Sequence, residues 1–253
     1  MRSRFEAYMD GKPLSHVNPK LLILDIQHEI ADPNIQVEEI ANRNGLKITS
    51  ERQNGSSVKI TFELHLYSIA ERQKACQEVV KWAKGTILET NDREGQRLIC
   101  RCTEFPRIES ALGWTESIDM VFTAFEKPFW EEKIETKLNL TGTSAQSDLY
   151  VPGNAGKAYV EATVTPKSTM ADITLTAGNT SITLTGCGAS TANPVTVAYD
   201  EKGFLKIKVG STSILDKRTG SDDLMVECGE TSTFSYTASA NVDVEFRVRG
   251  LWM

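Results

Sequence analysis

The amino-acid sequence predicts a mainly β fold, in which an N-terminal α+β domain with a curved antiparallel sheet and one helix precedes a C-terminal antiparallel β-sandwich. Segments of alternating apolar and polar residues recur along the whole chain, which is typical of half-buried strands. The one clear helical pattern lies in the first half. Residues 1–133 hold 39 charged side chains and 7 threonines, whereas residues 134–253 hold 23 and 18. We therefore expect two domains, 1–133 and 134–253.

The helix is predicted by the stretch LYSIAERQKACQEVVKWAKG, residues 66–85. Ser68 stands where an N-cap is expected, and Glu71 follows at the spacing of a capping box. Gly85 comes just after the last turn and is expected to end the helix in a left-handed conformation. Apolar residues recur at spacings of three and four and form one stripe, namely Cys76, Val79, Val80 and Ala83.

Strand patterns surround the helix in the first domain. The segment KLLILDIQHEI is expected to place Leu22, Leu24 and Ile26 on one face. The segments TILET and QRLICRCTEF predict a hairpin around NDREG, and ESIDMVFTAF closes the domain. The segment VKITFELHLY alternates cleanly, with one face formed by Val58, Ile60, Phe62, Leu64 and Leu66.

The stretch IANRNGLKITSERQNGSS, between two of these strands, is long and charged and contains two Asn-Gly turns. Such turns favour hairpins. We interpret residues 42–57 as a protruding hairpin or loop that serves as a contact arm. Asn44 and Arg52 are its candidate interface residues.

The second half is rich in Thr, Val and Gly and shows strand patterns only. Eight short alternating segments follow one another at spacings of about ten residues, separated by turn sequences such as Gly-Asn and Asp-Glu-Lys-Gly. This pattern predicts an antiparallel sandwich or a jelly-roll-like domain. No sequence period of about 20–50 residues is visible, which argues against propellers and solenoids.

Bulk properties exclude several classes of function. The formal net charge is −6 without a basic cluster, which argues against binding to duplex nucleic acid. No run of about 18 apolar residues predicts a membrane span, and the N-terminus lacks the apolar region of a secretory signal. We therefore expect synthesis in a reducing cytoplasm. The odd number of cysteines, five, fits this expectation.

Candidate catalytic and metal-ligating residues are few. Cys100 and Cys102 lie two apart, but no further ligands stand at the spacing of a zinc site, so core packing is the better interpretation. Adjacent carboxylate pairs such as Asp222 and Asp223 do not predict two groups that converge across a cleft. There is no Gly-x-Ser-x-Gly elbow and no phosphate-binding loop. We expect no catalytic residue, no metal and no cofactor, and hence a protein that is not an enzyme.

Aromatic residues offer one further candidate site. Phe129 and Trp130 follow a proline at the expected domain junction, where aromatic side chains commonly fix one domain to the next or to another subunit. We name both as candidate interface residues. Tyrosines could form a sugar platform in the second domain, but dispersed positions favour sheet packing for Tyr150, Tyr159, Tyr199 and Tyr236.

The order of these elements resembles the distal tail proteins of long-tailed, non-contractile bacteriophages. The resemblance covers essentially the whole chain and lies in patterns of strands and turns. It is carried by the helix AERQKACQEVVKWA after VKITFELHLYS, by the strand that leads into KPFWEE, and by three later segments. These are VPGNAGKAYVEATVTP, VTVAYDEKGFLKIKV and the terminal NVDVEFRVRGLWM.

The resemblance implies a structural protein of the phage tail tip or baseplate hub, present in the virion and made in the host cytoplasm. The N-terminal domains would form a hexameric ring, and galectin-like C-terminal sandwiches would project outward. The ring would join the tail tube protein to a tail-associated fibre or baseplate protein, and DNA would only pass through its channel. The helix would stabilise the ring-forming domain.

An alternative function stays open, namely a carbohydrate-binding adhesion module that contacts the host surface through the sandwich. The resemblance implies no direct receptor binding by this chain, because relatives that bind saccharides often carry inserted binding modules for which 253 residues leave no room. A cell-wall hydrolase is disfavoured, since no acid and base constellation is visible.

Overall fold

The computed structural model describes residues 4–30, 33–39, 46–53, 55–66, 68–106, 117–200 and 203–253. The chain divides into two compact units, Met1–Trp130 together with Met253, and Glu131–Trp252. The domain boundary expected after residue 133 stays a prediction. Within the described ranges, no helix reaches the length and hydropathy needed to span a bilayer. The prediction of a mainly β fold with one α-helix is confirmed.

In its described residues, the first unit contains two larger antiparallel sheets, a separate hairpin and one α-helix. Four strands form the sheet β3-β6-β10-β9, four more pair in the order β2-β1-β7-β8, and β4 pairs with β5. A short 3-10 helix covers Leu14–His16. The elements are β1 (Ala7–Met9), β2 (Lys12–Pro13), β3 (Leu21–Glu29), β4 (Pro33–Glu39), β5 (Leu46–Gln53), β6 (Ser56–Leu64), α1 (Ile69–Trp82), β7 (Ile87–Thr90), β8 (Gln96–Ile99), β9 (Arg101–Glu104) and β10 (Ser117–Ala124).

The core of this unit follows the predicted alternation of β6 and a similar alternation on β10. The apolar face of β6 is buried as expected. The helix contributes Trp82, whose ring meets Phe122 of β10 edge-on with centroids 6.0 Å apart. The indole N–H of Trp82 donates to the backbone carbonyl of Lys12 at 2.7 Å. One side chain of the helix thus contacts both the four-stranded sheet, through Phe122, and strand β2 of the other sheet, through Lys12.

The face of β3 that was predicted to be buried is wrong in the first half of the strand, where the buried residues lie one position away from the predicted ones. Leu21 and Ile23 are buried, whereas Leu24 is 38% exposed. The pairing of β3 with β6 shifts between Ile23 and Asp25, and Ile26 then returns to the buried face. A bulge adds one residue to a strand and so reverses the alternation on one side of it. The sequence prediction assumed that buried and exposed residues alternate without interruption along β3, and such a pattern does not include a bulge.

The start of α1 matches the prediction, but its end does not. Ser68 is the N-cap, and its side chain accepts a hydrogen bond from the backbone N–H of Glu71 at 3.2 Å. The helix ends with Ala83 as a right-handed C-cap, and Gly85 has no positive φ. A Cβ at Gly85 would lie 2.7 Å from the sulfur of Met9. A larger residue at position 85 would therefore have to displace the side chains of Met9 and Asp10.

Replacement of Ser68 by alanine is expected to destabilise the first unit by about 1 kcal/mol, because the backbone N–H of Glu71 loses its acceptor. Urea denaturation followed by circular dichroism measures the change. Ser68→Asp is the matched control, since aspartate restores the acceptor and should keep near wild-type stability. Equal stability of the alanine and wild-type chains would contradict the capping role.

The second unit consists of strands and one 3-10 helix, Leu215–Lys217, among its described residues. Strand β11 (Trp130–Glu132) crosses the division between the units. The remaining strands are β12 (Thr136–Val151), β13 (Lys157–Pro166), β14 (Ile173–Ala177), β15 (Thr180–Leu184), β16 (Val195–Tyr199), β17 (Leu205–Val209), β18 (Thr212–Ser213), β19 (Arg218–Gly220), β20 (Met225–Glu227), β21 (Glu230–Val248) and β22 (Leu251–Trp252). The pairings among strands β12 to β21 of its described part are antiparallel.

Strand β21 builds the sandwich by folding back across the core. Its first half pairs with β14 and its second half with β13. Phe234 and Phe246 lie twelve residues apart, which is about 40 Å along a straight strand. Their ring centroids are nevertheless only 5.4 Å apart. The two halves therefore lie in facing layers, and both rings are fully buried between them.

Strand β12 is the one long element that the sequence did not predict. It pairs with β21 along almost its whole length, with a register shift between Gly142 and Ser144. Leu138 and Leu140 face the core before the shift, and Ala145 and Leu149 face it afterwards. The shift interrupts the period of two, which hid the strand from sequence analysis.

Candidate functional site

The four predicted interface residues do not form one described cluster. Phe129 and Trp130 end the first unit side by side. Arg52 lies on β5, opposite Asn34 of β4, and its side chain is outside the described part of the structure. Asn44 lies outside the described residues altogether. The assignment of these four residues to an interface stays a prediction.

Trp130 is the centre of a side-chain cluster within the first unit. Only 3% of the residue is exposed. The imidazole of His28 meets its ring edge-on at a centroid distance of 5.3 Å, and the guanidinium of Arg93 lies 5.2 Å from the ring centroid. A cation over a partly desolvated indole contributes on the order of 1 kcal/mol. Phe129 is half-buried beside it.

The orientation of His28 is fixed by Asp92. The Nε2 atom of His28 lies 2.6 Å from the carboxylate of Asp92, in the turn after β7. Burial raises the pKa of Asp92, but side-chain hydrogen bonds, that of His28 among them, outweigh burial and lower it overall. Burial lowers the pKa of Arg93, the next residue. The cluster therefore holds a carboxylate and a guanidinium in partly desolvated surroundings.

A small cavity adjoins this cluster, with a volume of about 10 Å³. His28, Ser56, Arg93, Phe129 and Trp130 are part of its lining. The Nδ1 atom of His28 and the Oγ atom of Ser56 are buried and have no hydrogen-bond partner. A space of this size accommodates about one water molecule, and two orphaned polar atoms are the partners that such a water requires.

The residue types Ser56, His28 and Asp92 are those of a hydrolase triad, but their arrangement differs from one. In a triad the serine hydroxyl is hydrogen-bonded to the imidazole. Here neither the Oγ of Ser56 nor the Nδ1 of His28 has a partner, so the two are not bonded to each other. The cavity between them has no room for a substrate. We therefore assign the cluster a packing role.

Sequence reasoning missed His28, Asp92 and Arg93 as partners of Trp130. His28 and Asp92 lie 64 residues apart, and Asp92 belongs to a stretch that the sequence marks only as a turn. No spacing rule connects a turn residue with a residue on a distant strand. The proline before the aromatic pair was the only available signal, and it identified Phe129 and Trp130 alone.

A hairpin is present in the region where the sequence predicted a protruding hairpin or loop, but its bounds differ. Its strands are β4 and β5, so it runs from Pro33 to Gln53, whereas the prediction covered residues 42–57 and did not include β4. Its strands pair antiparallel from Pro33 opposite Gln53 to Glu39 opposite Leu46, with a shift between Gln36 and Val37. Among the described residues it forms a two-stranded sheet of its own. A two-stranded hairpin alone is marginally stable in water. It therefore requires additional packing, and its role as a contact arm stays a prediction.

The cysteines show no metal-binding or disulfide arrangement. All five are free thiols. Burial raises the pKa of Cys76 to about 11 and that of Cys100 to about 12, so both are neutral thiols at pH 7. The structure, over the residues it describes, contains no cluster of three or more His, Cys, Asp or Glu residues that could hold a metal ion.

The chain was compared with protein-family models, with curated proteins and with solved structures, and only the solved structures gave matches. No protein-family model matches the chain, and no curated protein matches it. A solved structure similar to it is that of SPP1 Dit (gp 19.1), a paradigm of the hub adsorption apparatus in phages that infect Gram-positive bacteria. The TM-score is 0.70 at 12% sequence identity, and the match covers 96% of this chain and 98% of that chain.

Two structures of the phage P2 baseplate in its activated conformation, with Ca and with Sr, are also similar. Their TM-scores are 0.48 and 0.47 at identities of 9% and 10%, and each match covers 97% of both chains. These scores add no argument to the first match. The chain thus has the fold of SPP1 Dit over nearly its whole length, and the resemblance to phage distal tail proteins predicted from the sequence is confirmed at the level of the fold.

Proposed function

We propose that this protein is a structural component of a phage tail tip, a distal tail protein that forms a hexameric ring in the virion. The ring joins the tail tube to the adhesion apparatus, and DNA passes through its channel. The observation that carries the proposal is the fold match to a hub protein over 96% of the chain. Because the match covers both units, the likeness to the hub protein extends beyond a single domain.

The first unit forms the ring in this proposal. A ring arises when a head-to-tail interface closes after a fixed rotation. Such an interface needs two different surfaces on each subunit. The β4–β5 hairpin supplies one of them, because it is a separate sheet that gains stability from a neighbour. The segment around Phe129 supplies the second surface. Ile30, which is 62% exposed, lines the same small cavity as Phe129 and adds an apolar side chain to this surface.

Light scattering coupled to size exclusion tests the ring over a concentration series, with negative-stain images of the largest species. Six chains of 28.0 kDa give about 168 kDa. We expect a species of this mass that appears as a ring with a central hole. A monomer at every concentration would contradict a ring that forms from this chain alone.

Matched charge reversals test the arm. Arg52→Glu on β5 should shift the ring toward monomer, because it reverses one charge in the proposed interface. Lys208→Glu is the control, since Lys208 is an exposed residue on β17 of the second unit and its replacement makes the same change in net charge.

Phe129→Ala tests the second proposed surface. It should weaken the ring without reducing the stability of the first unit by more than about 1 kcal/mol. Equal assembly of all three variants would remove both segments from the interface.

A further inference from the structure

A polar groove of about 460 Å³ crosses three strands of the second unit. Its floor is built from the second half of β21, with β12 on one side and β13 on the other. Six polar residues line it in two rows that follow the strand register. The first row is Asn139, Glu245 and Thr163, and the second is Thr141, Asp243 and Thr165. Residues two apart on a strand put the rows about 7 Å from each other.

Ion pairs hold the charged side chains of this face in place and neutralise them. Asp243 pairs with Lys167 and accepts a hydrogen bond from the hydroxyl of Thr141 at 2.7 Å. These two contacts lower the pKa of Asp243, so it is ionised at pH 7. Glu245 pairs with Lys137 and with Arg247, each at 3.6 Å. Arg247 also pairs with Glu161 at 3.4 Å, which completes three acids and three bases on one face.

Several hydrogen-bonding groups of the groove are unused by the protein. Among the described residues, none donates to or accepts from the side chains of Asn139, Thr163 and Thr165. Together they offer an amide and two hydroxyls, and each can both donate and accept. The ion-paired carboxylates of Asp243 and Glu245 keep further lone pairs free. The backs of the strands are fixed by the buried core, so these groups are held on a rigid scaffold.

We propose that this groove binds a neutral oligosaccharide. The balance of acids and bases favours neither an anion nor a cation, which fits an uncharged ligand. Groups that both donate and accept match sugar hydroxyls, which do the same. Six of the eight lining residues are polar, and the two apolar ones, Leu140 and Val244, belong to strands that pack against the core, so the groove is a mixed surface and not an apolar pocket for the anchors of a peptide or lipid. A volume of this size is within the range of ligand sites.

Tyr159 extends the site along β13, on the same face as Thr163 and about 13 Å from it. Tyr159 is 38% exposed, and its ring packs against the ring of Tyr199 with the two ring centroids 4.3 Å apart. Tyr199 is fixed in turn by hydrogen bonds between its hydroxyl and the backbone of Leu224, at 2.8 and 3.2 Å. A fixed, partly exposed aromatic face can stack against the C–H face of a pyranose ring. The spacing therefore favours a chain of several sugars over a single one.

This inference is independent of the hub role, since the hub interface is assigned to the first unit. It also revises an expectation from the sequence. The chain lacks room for an inserted carbohydrate-binding module, but the groove belongs to the sandwich itself and needs no insertion. The sequence left carbohydrate binding through the sandwich open as an alternative, but it did not identify this groove, because the register of three strands that are distant in the sequence creates the site.

The test uses the full chain and three neutral trisaccharides, maltotriose, cellotriose and chitotriose, in saturation-transfer NMR and calorimetry. At least one is expected to bind with a Kd on the order of 1 mM or below. The affinity should change little between low and high salt, because the ligand carries no charge. Absence of binding by all three at about 10 mM would overturn the proposal.

Variants locate the site. Thr163→Val and Asn139→Ala each remove unused hydrogen-bonding groups and should weaken binding about three- to tenfold. Thr237→Val is the matched control, because Thr237 is an exposed threonine on β21 outside the groove. Equal loss in the control, or no loss in either groove variant, would place the binding elsewhere and overturn the assignment. Ring formation by Thr163→Val should equal that of the wild type, which separates this result from a failure of the hub proposal.

Discussion

Replacement of Trp130 by alanine is expected to destabilise the first unit by about 3–5 kcal/mol. The residue is only 3% exposed, and its ring contacts the imidazole of His28 and the guanidinium of Arg93. The substitution opens a cavity beside two charged or polar groups and removes the aromatic face under the cation. A loss of this size is a large fraction of the stability of most domains. Urea denaturation measures the loss of stability. It is followed by far-UV circular dichroism, because the substitution removes a tryptophan and so alters the fluorescence signal.

The control is Phe125→Ala, five residues earlier in the chain. Phe125 is 62% exposed, so its truncation should change the free energy of unfolding by no more than about 0.5 kcal/mol. Trp130→Phe retains an aromatic ring and should lose less than the alanine variant. A loss below about 1 kcal/mol for Trp130→Ala would contradict the packing role. Because Trp130→Ala lowers the stability of the first unit, any effect of it on ring formation has to be corrected for the lost stability. Phe129→Ala should change the stability little, so it reports on the interface directly.

The sequence predicted best those elements whose pattern is local. The buried face of β6 and the N-cap at Ser68 were both correct, because each depends on residues close together in the chain. Errors arose where two strands slip against each other. The bulge in β3 moved Leu24 out of the core, and the shift near Gly142 concealed β12. A register shift is set by the partner strand, so one strand's own sequence does not reveal it.

The candidate sites show the same limit more strongly. Trp130 was identified by its position after a proline, but its partners His28 and Arg93 are brought to it by the fold alone. The groove of the second unit unites residues that are about 100 positions apart, such as Asn139 and Glu245. Each of these residues on its own is an ordinary polar residue on an exposed strand face. Only the sheet order shows that they line one surface.

The fold also explains how one chain could combine assembly with recognition. The first unit buries Trp130 and contains a separate hairpin, which is the proposed contact arm. The second unit places its polar, charge-balanced groove on a sheet whose other face is the core. Because each unit has its own core, substitutions in the groove should leave the proposed ring interface intact. The two proposals can therefore be tested by separate variants of the same chain.

Replacement of Gly153 by alanine is expected to destabilise the second unit by about 2–6 kcal/mol, the sum of backbone strain and overpacking. Gly153 has a φ of +129°, a conformation that only glycine adopts readily. A Cβ there would collide with the carbonyl oxygen of Leu251 and would lie 2.9 Å from its nitrogen. That carbonyl accepts hydrogen bonds from the backbone N–H groups of Asn154 and Ala155, at 2.9 and 3.1 Å, so it cannot move aside without breaking them.

Gly156→Ala is the matched control for this prediction. Gly156 also has a positive φ, of +54°, but nothing lies within 4 Å of a Cβ built on it. It should therefore lose only the cost of a left-handed backbone, about 1–2 kcal/mol. Thermal unfolding followed by calorimetry separates the two variants, and the transition of the second unit should move much further for Gly153→Ala. Equal shifts would mean that the approach of Leu251 does not restrict position 153, and the strain alone would then account for both glycines.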